Sequence, residues 1–476
     1  MITEEQQAVI ETSKRMQPQE TLKIEACAGS GKTSALIEIA KSNPDKRFLY
    51  LAFNKAIVEE AKKRFPPNVR IFTTHGLAWK WYAYTYGTKD LVNIKGGYNV
   101  FDLKELFPDA SYHELSSLIS KLRNFCYSDE TVSHDRGVRK IFEAVKSGKL
   151  SMTHDFYLKL YQIEYTNRFK NYEYVLLDEA QDTNPVTMAL FTDNNCRRIL
   201  VGDSHQSIYG FRGAFNALES AVADTALHLS YSFRSVQSVL DRANYFLQRF
   251  SLYKENFVPM KSKVGLTGEI HSHCEIYRTN AGIITRISKL DEKDIRYFRL
   301  IRSASAIFGC ALSLLAFKNK RFDKITYEFS WLKKFSSWAE LSNYADDCED
   351  AEISANLKLV DNFDNRLFDI YKKACQIADN LQATHVITTA HTAKGLEWDD
   401  VQIGDDFVDL AEAHDKIVLR KRKRKGKKSH SMTAQEFQQE LNLYYVSVTR
   451  ARYSLSDLTP NNEEFRKLTR LSEMKN

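Results

Sequence analysis

Residues 174–182 read YVLLDEAQD, in which four apolar residues are followed by a cluster of acids. A short and fully apolar run is typical of a strand in a parallel sheet that helices cover on both faces. Asp178 and Glu179 then follow the carboxyl end of that strand, which is where open α/β sheets bind their ligands. Two adjacent carboxylates at this place can hold a magnesium ion and orient a water molecule. Ordinary loop acids are the simpler alternative.

The segment that these carboxylates require stands upstream, where residues 26–33 read ACAGSGKT. It follows a predicted strand and opens a helix predicted at Lys32 to Lys41, which is the context of a phosphate-binding P-loop. Ala26 stands where the loose consensus has its first glycine, and a glycine-rich turn with an incidental lysine is the simpler alternative. The residues expected around the nucleotide phosphates are Ala28, Gly29, Ser30, Gly31, Lys32, Thr33 and Ser34.

Together, and in this order along the chain, the two segments predict hydrolysis of a nucleoside triphosphate. Lys32 would reach the β- and γ-phosphates, and the Thr33 hydroxyl would be a ligand of Mg²⁺. Asp178 would hold the same ion through water. Glu179 would orient and deprotonate the attacking water, so that ATP and Mg²⁺ are the expected cofactors.

The hydrophobic pattern predicts two α/β halves, each with a parallel sheet and a mainly helical insertion. A mostly helical pattern runs from Trp79 to Ser151, and a second one from Ala281 to Gln382. The apolar run from Ala304 to Phe317 is too short to span a bilayer and predicts a buried helix. The predicted strands are Leu22 to Ala26, Arg47 to Ala52, Tyr172 to Leu177, Arg198 to Val201, one or more around Gly268 to Tyr277, and Ala383 to Thr389.

Length and composition indicate a globular protein of several domains, since 476 residues exceed what one core usually supports. The run from Arg420 to Lys428 contains eight basic residues, which accounts for the whole net charge of +7. Net charge therefore does not by itself indicate nucleic-acid binding. The run is interpreted as a solvated loop, with contact to DNA phosphates or a nuclear address as alternatives. Seven cysteines without a Cys-x-x-Cys pair fit a reducing compartment and no structural zinc site.

Several segments resemble the motifs of UvrD/Rep-type superfamily 1A DNA helicases, and they occur along this chain in the same order as in that family. They are ITEEQQ (2–7), FNKA (53–56), TTHG (73–76), DEAQD (178–182), VGDSHQSIYGFRGA (201–214), SFRS (232–235), TAHTAKGLEW (389–398) and YVSVTRA (445–451). MTHDFYLKL (152–160) and DDFV (405–408) are similar to strings of the F-box DNA helicase branch, although we identify no F-box in these 476 residues. Ser34 departs from the family, because many relatives place an arginine there, and Phe233 replaces a common tyrosine.

The resemblance implies further site residues. Gln6 would bind the adenine edge, Phe233 and Glu397 would contact the nucleotide, and Gln206, Arg234 and Arg450 would act on the γ-phosphate. DNA contacts are implied for Phe53, Asn54, Thr74, His75, Tyr209, Phe211, Arg212, Thr389 and His391. Tyr209 and Phe211 suit a protein that grips any sequence, because every base presents a face on which an aromatic ring can stack.

The implied fold is α/β, with two RecA-like P-loop domains that each carry a mainly helical insertion. The expected domains are 1A (1–78 and 152–228), 1B (79–151), 2A (229–284 and 383–476) and 2B (285–382).

The implied activity is that of an ATP-dependent DNA helicase and translocase, moving 3′ to 5′ on single-stranded DNA in repair or recombination. The expected partners are single-stranded DNA and junctions of single and double strands. The protein is expected to act as a monomer, and no membrane is expected among its partners. Localisation would be cytoplasmic in a prokaryotic or viral setting and nuclear in a eukaryote. The alternative is a DNA-stimulated ATPase that displaces proteins or powers a partner nuclease, for example in phage defence. A DNA-sensing adaptor is a third hypothesis, and the intact Glu179, Gln206 and Arg450 argue against it.

Overall fold

The computed structural model describes residues 2–52, 55–92, 94–165, 169–210, 216–252, 257–265, 268–347, 351–378, 380–420 and 432–473. The chain divides into two compact units, residues 1–233 and residues 234–476. Each unit contains a parallel sheet with many helices, so the α/β fold class predicted from the sequence is confirmed. The basic run lies outside the described residues, apart from the backbone of Arg420.

The first unit is built from a six-stranded parallel sheet in the order β3-β2-β4-β5-β1-β6. Its strands are β1 Thr21–Ala26, β2 Phe48–Ala52, β3 Val69–Thr73, β4 Tyr174–Leu177, β5 Arg197–Gly202, β6 Thr225–Leu229 and the short β7 Tyr231–Ser232. Its helices are α1 Glu4–Arg15, α2 Lys32–Lys41, α3 Lys55–Arg64, α4 Thr74–Tyr86, α5 Val100–Leu103, α6 Tyr112–Tyr127, α7 Arg136–Lys146, α8 His154–Glu164, α9 Pro185–Thr192 and α10 Ala217–Ser220.

The second unit is built from a five-stranded parallel sheet in the order β10-β11-β9-β12-β13. Its strands are β8 Lys261–Ser262, β9 His273–Tyr277, β10 Phe298–Leu300, β11 His385–Thr389, β12 Trp398–Ile403 and β13 Ala451–Asp457. Its helices are α11 Gln237–Phe250, α12 Asn280–Ser288, α13 Ala304–Lys318, α14 Trp338–Asp347, α15 Ala351–Phe363, α16 Arg366–Ala378, α17 Ala390–Ala393, α18 Leu410–Arg420, α19 Ala434–Val448 and α20 Asn461–Glu473.

Both faces of the first sheet are buried, as a parallel sheet requires. Along β4, Tyr174 and Leu176 pack into the core on one face, whereas Val175 and Leu177 pack into the core on the other. Alternate side chains of a strand point to opposite faces, so a run that is apolar throughout satisfies both cores. The central position of β4, between β2 and β5, therefore follows from its composition.

The apolar run that begins at Ala304 forms the buried helix α13, as predicted. Most of its side chains are inaccessible to solvent, which explains why the sequence lacks a polar face. Of the helices within the described ranges, none combines the length and the apolar character that crossing a bilayer needs.

The sheet order of the first unit decides where its polar loops meet. β4, β5 and β1 are consecutive neighbours and parallel, so their carboxyl ends share one edge. The P-loop follows β1, Asp178 follows β4 and Asp203 follows β5. These three segments therefore converge at one edge of the sheet.

Candidate nucleotide-hydrolysis site

The P-loop wraps around the N terminus of α2 in a conformation that glycine permits. Gly29 and Gly31 have φ values of 74° and 77°, in the left-handed region that residues with a Cβ atom avoid. Gly31 is the N-cap of α2, and among the described residues no side chain caps this end. The amides of the first helical turn have no partner within their own helix, and this is the arrangement with which helix N termini bind phosphate.

Four predicted residues come together at the sheet edge. Lys32 Nζ donates a hydrogen bond to Glu179 Oε2 at 3.3 Å, and the two side chains form an ion pair. Thr33 Oγ1 donates to Asp178 Oδ2 at 3.4 Å. The residues that begin α2 therefore contact the two carboxylates that follow β4, although about 145 positions separate them in the sequence.

Tyr50 is a part of this site that sequence reasoning missed. Its hydroxyl donates a hydrogen bond of 2.6 Å to Asp178 Oδ2 from the buried, neighbouring strand β2. Burial, and then the charge of Glu179, raise the pKa of Asp178 above its ordinary value, while Lys32 and the Tyr50 hydroxyl oppose that rise. The signal available in the sequence was a lone hydroxyl-bearing residue in an otherwise apolar strand.

The charge of the site is concentrated around one lysine. Burial alone would lower the pKa of Lys32, but the carboxylates of Glu179, Asp203 and Asp178 hold that pKa above its ordinary value. Lys32 thus stays a cation at the mouth of the P-loop. Three acids around one buried cation leave a net negative charge, which a divalent ion would balance.

A chain of hydrogen bonds leads from Glu179 to Gln206. The Gln181 side-chain amide donates to Glu179 Oε2, and Gln181 Oε1 accepts from the Asp203 amide at 3.0 Å. Gln206 Nε2 then donates to Asp203 Oδ2 at 2.7 Å. Gly202 makes this chain possible, because a Cβ atom there would lie 2.2 Å from Gln181 Oε1. The chain joins the proposed base to the predicted γ-phosphate sensor, and the sequence did not reveal Asp203 as its link.

The predicted adenine side of the site lies next to the P-loop. Gln6 Nε2 donates to the Ser30 carbonyl at 3.3 Å, and Gln6 is fixed by a capping box with Thr3 at the start of α1. The Phe233 amide donates to the Gly29 carbonyl at 2.9 Å, and its side chain is 45% exposed. Phe233 thus presents an accessible ring beside the phosphate-binding turn.

Ser34, where many relatives place an arginine, has an arginine as its neighbour. Arg64 Nη2, from the end of α3, donates to Ser34 Oγ at 3.2 Å, and its Nη1 donates to Glu60 Oε1 at 2.9 Å. A guanidinium group therefore stands beside the first turn of α2 in spite of the substitution in the sequence. The spacing of the motifs gave no indication of Arg64.

The DNA-contact residues predicted in the first unit are only partly described. Thr74 and His75 begin α4, where the Thr73 side chain caps the helix by accepting from the Gly76 amide at 2.9 Å. His75 Nε2 lies 3.7 Å from Asp155 Oδ1, and Tyr209 is half-buried. The predictions for Phe53, Asn54, Phe211 and Arg212 lie outside the described residues.

The residues predicted in the second unit cluster around Thr449. Arg234 Nε pairs with Glu397 Oε2 at 2.6 Å, and its Nη1 donates to the Thr449 carbonyl at 3.4 Å. Arg450 is almost fully buried, and its guanidinium donates to the carbonyl oxygens of Val446 and Leu396 and to Thr449 Oγ1. In this structure both guanidinium groups are thus engaged inside the second unit.

The remaining predicted DNA contacts of the second unit lie at the start of α17. Thr389 is the N-cap of this short helix and accepts from the Thr392 amide, and His391 in its first turn is half-buried.

Comparison with known proteins shows what this chain is similar to. The profile of the UvrD/REP helicase N-terminal domain matches residues 138–224. F-box DNA helicase protein 1 of Schizosaccharomyces pombe is 31% identical over 95% of this chain and 57% of its own length. F-box DNA helicase 1 of Gallus gallus is 28% identical over 95% of this chain and 48% of its own length. The chain thus spans about half the length of these two relatives. ATP-dependent DNA helicase SRS2 of Saccharomyces cerevisiae is 25% identical over 52% of this chain and 27% of its own length.

Proposed function

From the premise that this chain is a homologue of the F-box DNA helicases and carries a UvrD/REP helicase N-terminal domain, we propose that it is an ATP-dependent DNA helicase and translocase. The observation that carries the proposal is the convergence of Lys32 with Glu179 and of Thr33 with Asp178. A phosphate-binding lysine and a water-orienting carboxylate at one sheet edge are the parts that triphosphate hydrolysis needs.

ATP and Mg²⁺ are the proposed cofactors. The Thr33 hydroxyl would be a direct ligand of Mg²⁺, and the Asp178 carboxylate, 3.4 Å from that hydroxyl, would hold the ion through water. Among the described residues no group of three or more His, Cys, Asp or Glu side chains could hold a metal ion, so phosphate oxygens would complete the shell. When bound, the ion would neutralise charge on the phosphates during transfer.

The chain's own residues would carry out the remaining steps. The P-loop amides and Lys32 bind the phosphates, and Lys32 keeps its proton because of the surrounding carboxylates. Glu179 accepts a proton from the attacking water, which its two carboxylate oxygens allow while one of them pairs with Lys32. Gln206 responds to the γ-phosphate and passes that response along the hydrogen bonds through Asp203.

The DNA part of the proposal rests on homology and on the site residues that the motifs indicate. Thr74, His75 and Tyr209 in the first unit, and Thr389 and His391 in the second, are the described residues proposed to contact single-stranded DNA. Movement from 3′ to 5′, a monomeric state, binding at junctions of single and double strands and a role in repair or recombination belong to the same proposal. A cytoplasmic or nuclear localisation, according to the host, belongs to it as well.

The four predicted segments 1A, 1B, 2A and 2B stay part of the proposal, with the boundaries given above. The roles of Arg234 and Arg450 as γ-phosphate ligands, and of Gln6, Phe233 and Glu397 as nucleotide contacts, also stay proposals. For Arg450 to act in this way, its guanidinium would donate to the phosphate in addition to, or in place of, the hydrogen bonds it makes to Leu396 and Thr449.

One experiment tests both the role of Glu179 as the general base and the 3′ to 5′ direction of movement. Duplexes with a 3′ or a 5′ single-stranded tail are unwound by the wild type and by Glu179→Gln, with ATP hydrolysis measured in parallel. Since general-base catalysis typically contributes about 10²- to 10⁴-fold, hydrolysis by Glu179→Gln should fall by that factor while ATP still binds. Glu11→Gln, at an exposed position on α1, is the matched control and should behave as the wild type does.

The outcomes separate the candidate functions. Unwinding of the 3′-tailed duplex alone supports the helicase, and preference for the 5′ tail contradicts the proposed polarity. Hydrolysis that single-stranded DNA stimulates without unwinding favours the alternative, a motor that displaces proteins or powers a partner nuclease. ATP hydrolysis that DNA does not stimulate would contradict both the helicase and the DNA-stimulated ATPase. The DNA-sensing adaptor would then be the remaining hypothesis. Equal hydrolysis by wild type and Glu179→Gln would disprove the assignment of the base.

A further inference from the structure

Glu25 lies outside all of the helicase-like motifs described above, but it contacts one of them. It is the penultimate residue of β1, directly before the segment that forms the P-loop. Its two carboxylate oxygens accept hydrogen bonds from Ser204, one from the backbone amide at 2.8 Å and one from the hydroxyl at 2.7 Å. Ser204 begins the short 3₁₀ turn that ends at Gln206. One carboxylate thus connects the strand that enters the P-loop to the turn that carries the proposed γ-phosphate sensor.

The turn is held from other directions as well. The Ser204 carbonyl accepts from Asn216 Nδ2 at 3.1 Å, and Asp203 accepts from both the amide and the side chain of Gln206. The Glu25 contact is the one among these that reaches β1. Any displacement of the turn relative to the P-loop therefore has to stretch or break the hydrogen bonds between Glu25 and Ser204.

We propose that Glu25 is a positioning residue, which holds the turn of Gln206 against the strand entering the P-loop and thereby sets how strongly DNA stimulates hydrolysis. The inference rests on the proposed function, in which Gln206 and the nearby Tyr209 connect the nucleotide to DNA. Glu25 would touch neither ATP nor DNA. Its effect would pass through Ser204 alone.

The surroundings of Glu25 make this contact sensitive to pH. Burial, followed by the charges of Asp203 and Glu219, raises the pKa of Glu25 to about 7, although the hydrogen bonds from Ser204 oppose the rise. The other charged or titratable neighbours are Lys23 on the same strand and His228, its register partner on β6. A carboxylate accepts both hydrogen bonds with the help of its charge, whereas a protonated carboxyl makes only neutral hydrogen bonds, which are about half as strong. The contact should therefore strengthen as pH rises through 7.

The same shift has a consequence for stability, with a definite sign. The pKa of Glu25 rises from 4.5 to about 7 on folding, so the folded state holds a proton that the unfolded state has released. Stability then falls as pH rises from about 4.5 to about 7, because the folded state binds more protons across that range. Glu25→Gln removes this dependence. Its Tm relative to the wild type should be higher at pH 8 than at pH 5.5.

Three variants of the full chain test the inference. Glu25→Gln keeps both hydrogen bonds, since the amide oxygen can accept from the Ser204 amide and the amide nitrogen can donate to the hydroxyl, but it cannot titrate. Glu25→Ala removes both bonds, and Ser204→Ala removes only the hydroxyl. ATP hydrolysis with and without oligo(dT) is measured from pH 6 to pH 8.5, and Tm is measured across the same range and at pH 5.5.

The wild type should show a ratio of DNA-stimulated to basal hydrolysis that increases across pH 7. Glu25→Gln should show a ratio that does not change with pH and stays near that of the wild type at pH 6. At pH 8, Glu25→Ala should lower the ratio about tenfold, and Ser204→Ala should fall between wild type and Glu25→Ala. Rescue by Gln but not by Ala indicates positioning rather than general packing.

If DNA stimulates ATP hydrolysis by the wild type, two results would overturn the inference about Glu25 without contradicting the proposed function. One is an unchanged ratio in Glu25→Ala, and the other is a pH dependence of both ratio and Tm in Glu25→Gln that equals that of the wild type. A wild type without any DNA stimulation overturns the proposed motor, and the coupling role of Glu25 with it.

Discussion

At the scale of single residues, Tyr50 shows how a buried hydroxyl can adjust a metal site. It donates to Asp178 at 2.6 Å from within the core of the first unit. In Tyr50→Phe that donor is absent, and hydrogen bonds to charged groups contribute about 1.5–3 kcal/mol. The half-saturating Mg²⁺ concentration of ATP hydrolysis should therefore rise about tenfold. Titration of the rate with Mg²⁺ at fixed ATP measures this.

The control for Tyr50→Phe is Tyr174→Phe. Tyr174 is also buried in the same core, and its hydroxyl donates to the Ser13 carbonyl at 2.9 Å, away from the carboxylates. Both variants lose one buried hydroxyl, but only Tyr50→Phe should change the Mg²⁺ dependence. A similar change in both variants would show that the effect comes from general packing of the core.

Single residues also show what the sequence could and could not predict. Lys32, Thr33, Asp178 and Glu179 were predicted because each has a fixed place beside a strand end or a helix start. Tyr50 was not predicted, because its partner depends on β2 lying next to β4 in the sheet.

At the scale of elements, the start of α2 depends on the conformation of one glycine. Gly31 has a φ of 77°, and a Cβ atom there would lie 3.1 Å from Gln6 Nε2. In Gly31→Ala the left-handed conformation costs about 1–2 kcal/mol. The turn should relax to relieve this strain and withdraw its amides from the phosphates. Binding of a fluorescent ATP analogue should weaken at least tenfold, and urea unfolding should show the loss of stability.

Gly148 provides a matched control for this prediction. It has a φ of 73° and follows α7, and a Cβ atom at this position would have no heavy atom of the described residues within 4 Å. Gly148→Ala should lose a similar amount of stability, about 1–2 kcal/mol, and bind the nucleotide normally. Loss of binding in both variants would mean that general destabilisation, rather than the P-loop, explains the result.

Some elements followed from sequence periodicity and from their flanking residues, whereas the strands β3, β6, β10, β12 and β13 were not predicted. The helix predicted from Lys32 to Lys41 has those bounds, and the apolar run at Ala304 is the buried helix α13. The pairing of strands did not follow, because period and propensity describe one strand at a time. The chain of hydrogen bonds from Gln181 to Gln206 exists only because β4 and β5 are neighbours.

At the scale of the whole molecule, each unit has its own core and its own buried polar network. In the second unit, Asp457 accepts from Arg242 at 2.8 Å and from the Tyr444 hydroxyl at 2.7 Å, and its side chain is fully buried. Asp457→Asn leaves the charge of Arg242 without its counter-ion, which typically costs about 3–5 kcal/mol. Hydrogen exchange in β12 and β13 should accelerate, while exchange in β1 and β5 of the first unit should change little.

Asp369→Asn tests whether this effect comes from burial. Asp369 pairs with Lys372 at 3.3 Å in the same unit, but both side chains are more than 70% exposed. Exposed pairs contribute about 0–1 kcal/mol, so exchange in β12 and β13 should stay as in the wild type. Equal acceleration by the two substitutions would contradict a special role for the buried network.

The sequence by itself determined which segments form the candidate nucleotide site and which of its strongest patterns are helices or strands. Two motifs, the glycine-rich turn before a helix and the carboxylates after an apolar strand, are defined by residues adjacent in the sequence. They can therefore be recognised without knowledge of the fold. The tertiary structure alone decided which distant residues meet. Tyr50 with Asp178, Asp203 with Gln181, and Glu25 with Ser204 are contacts set by the order of parallel strands. That order depends on how the whole sheet packs between its two cores, and no local stretch of sequence contains this information.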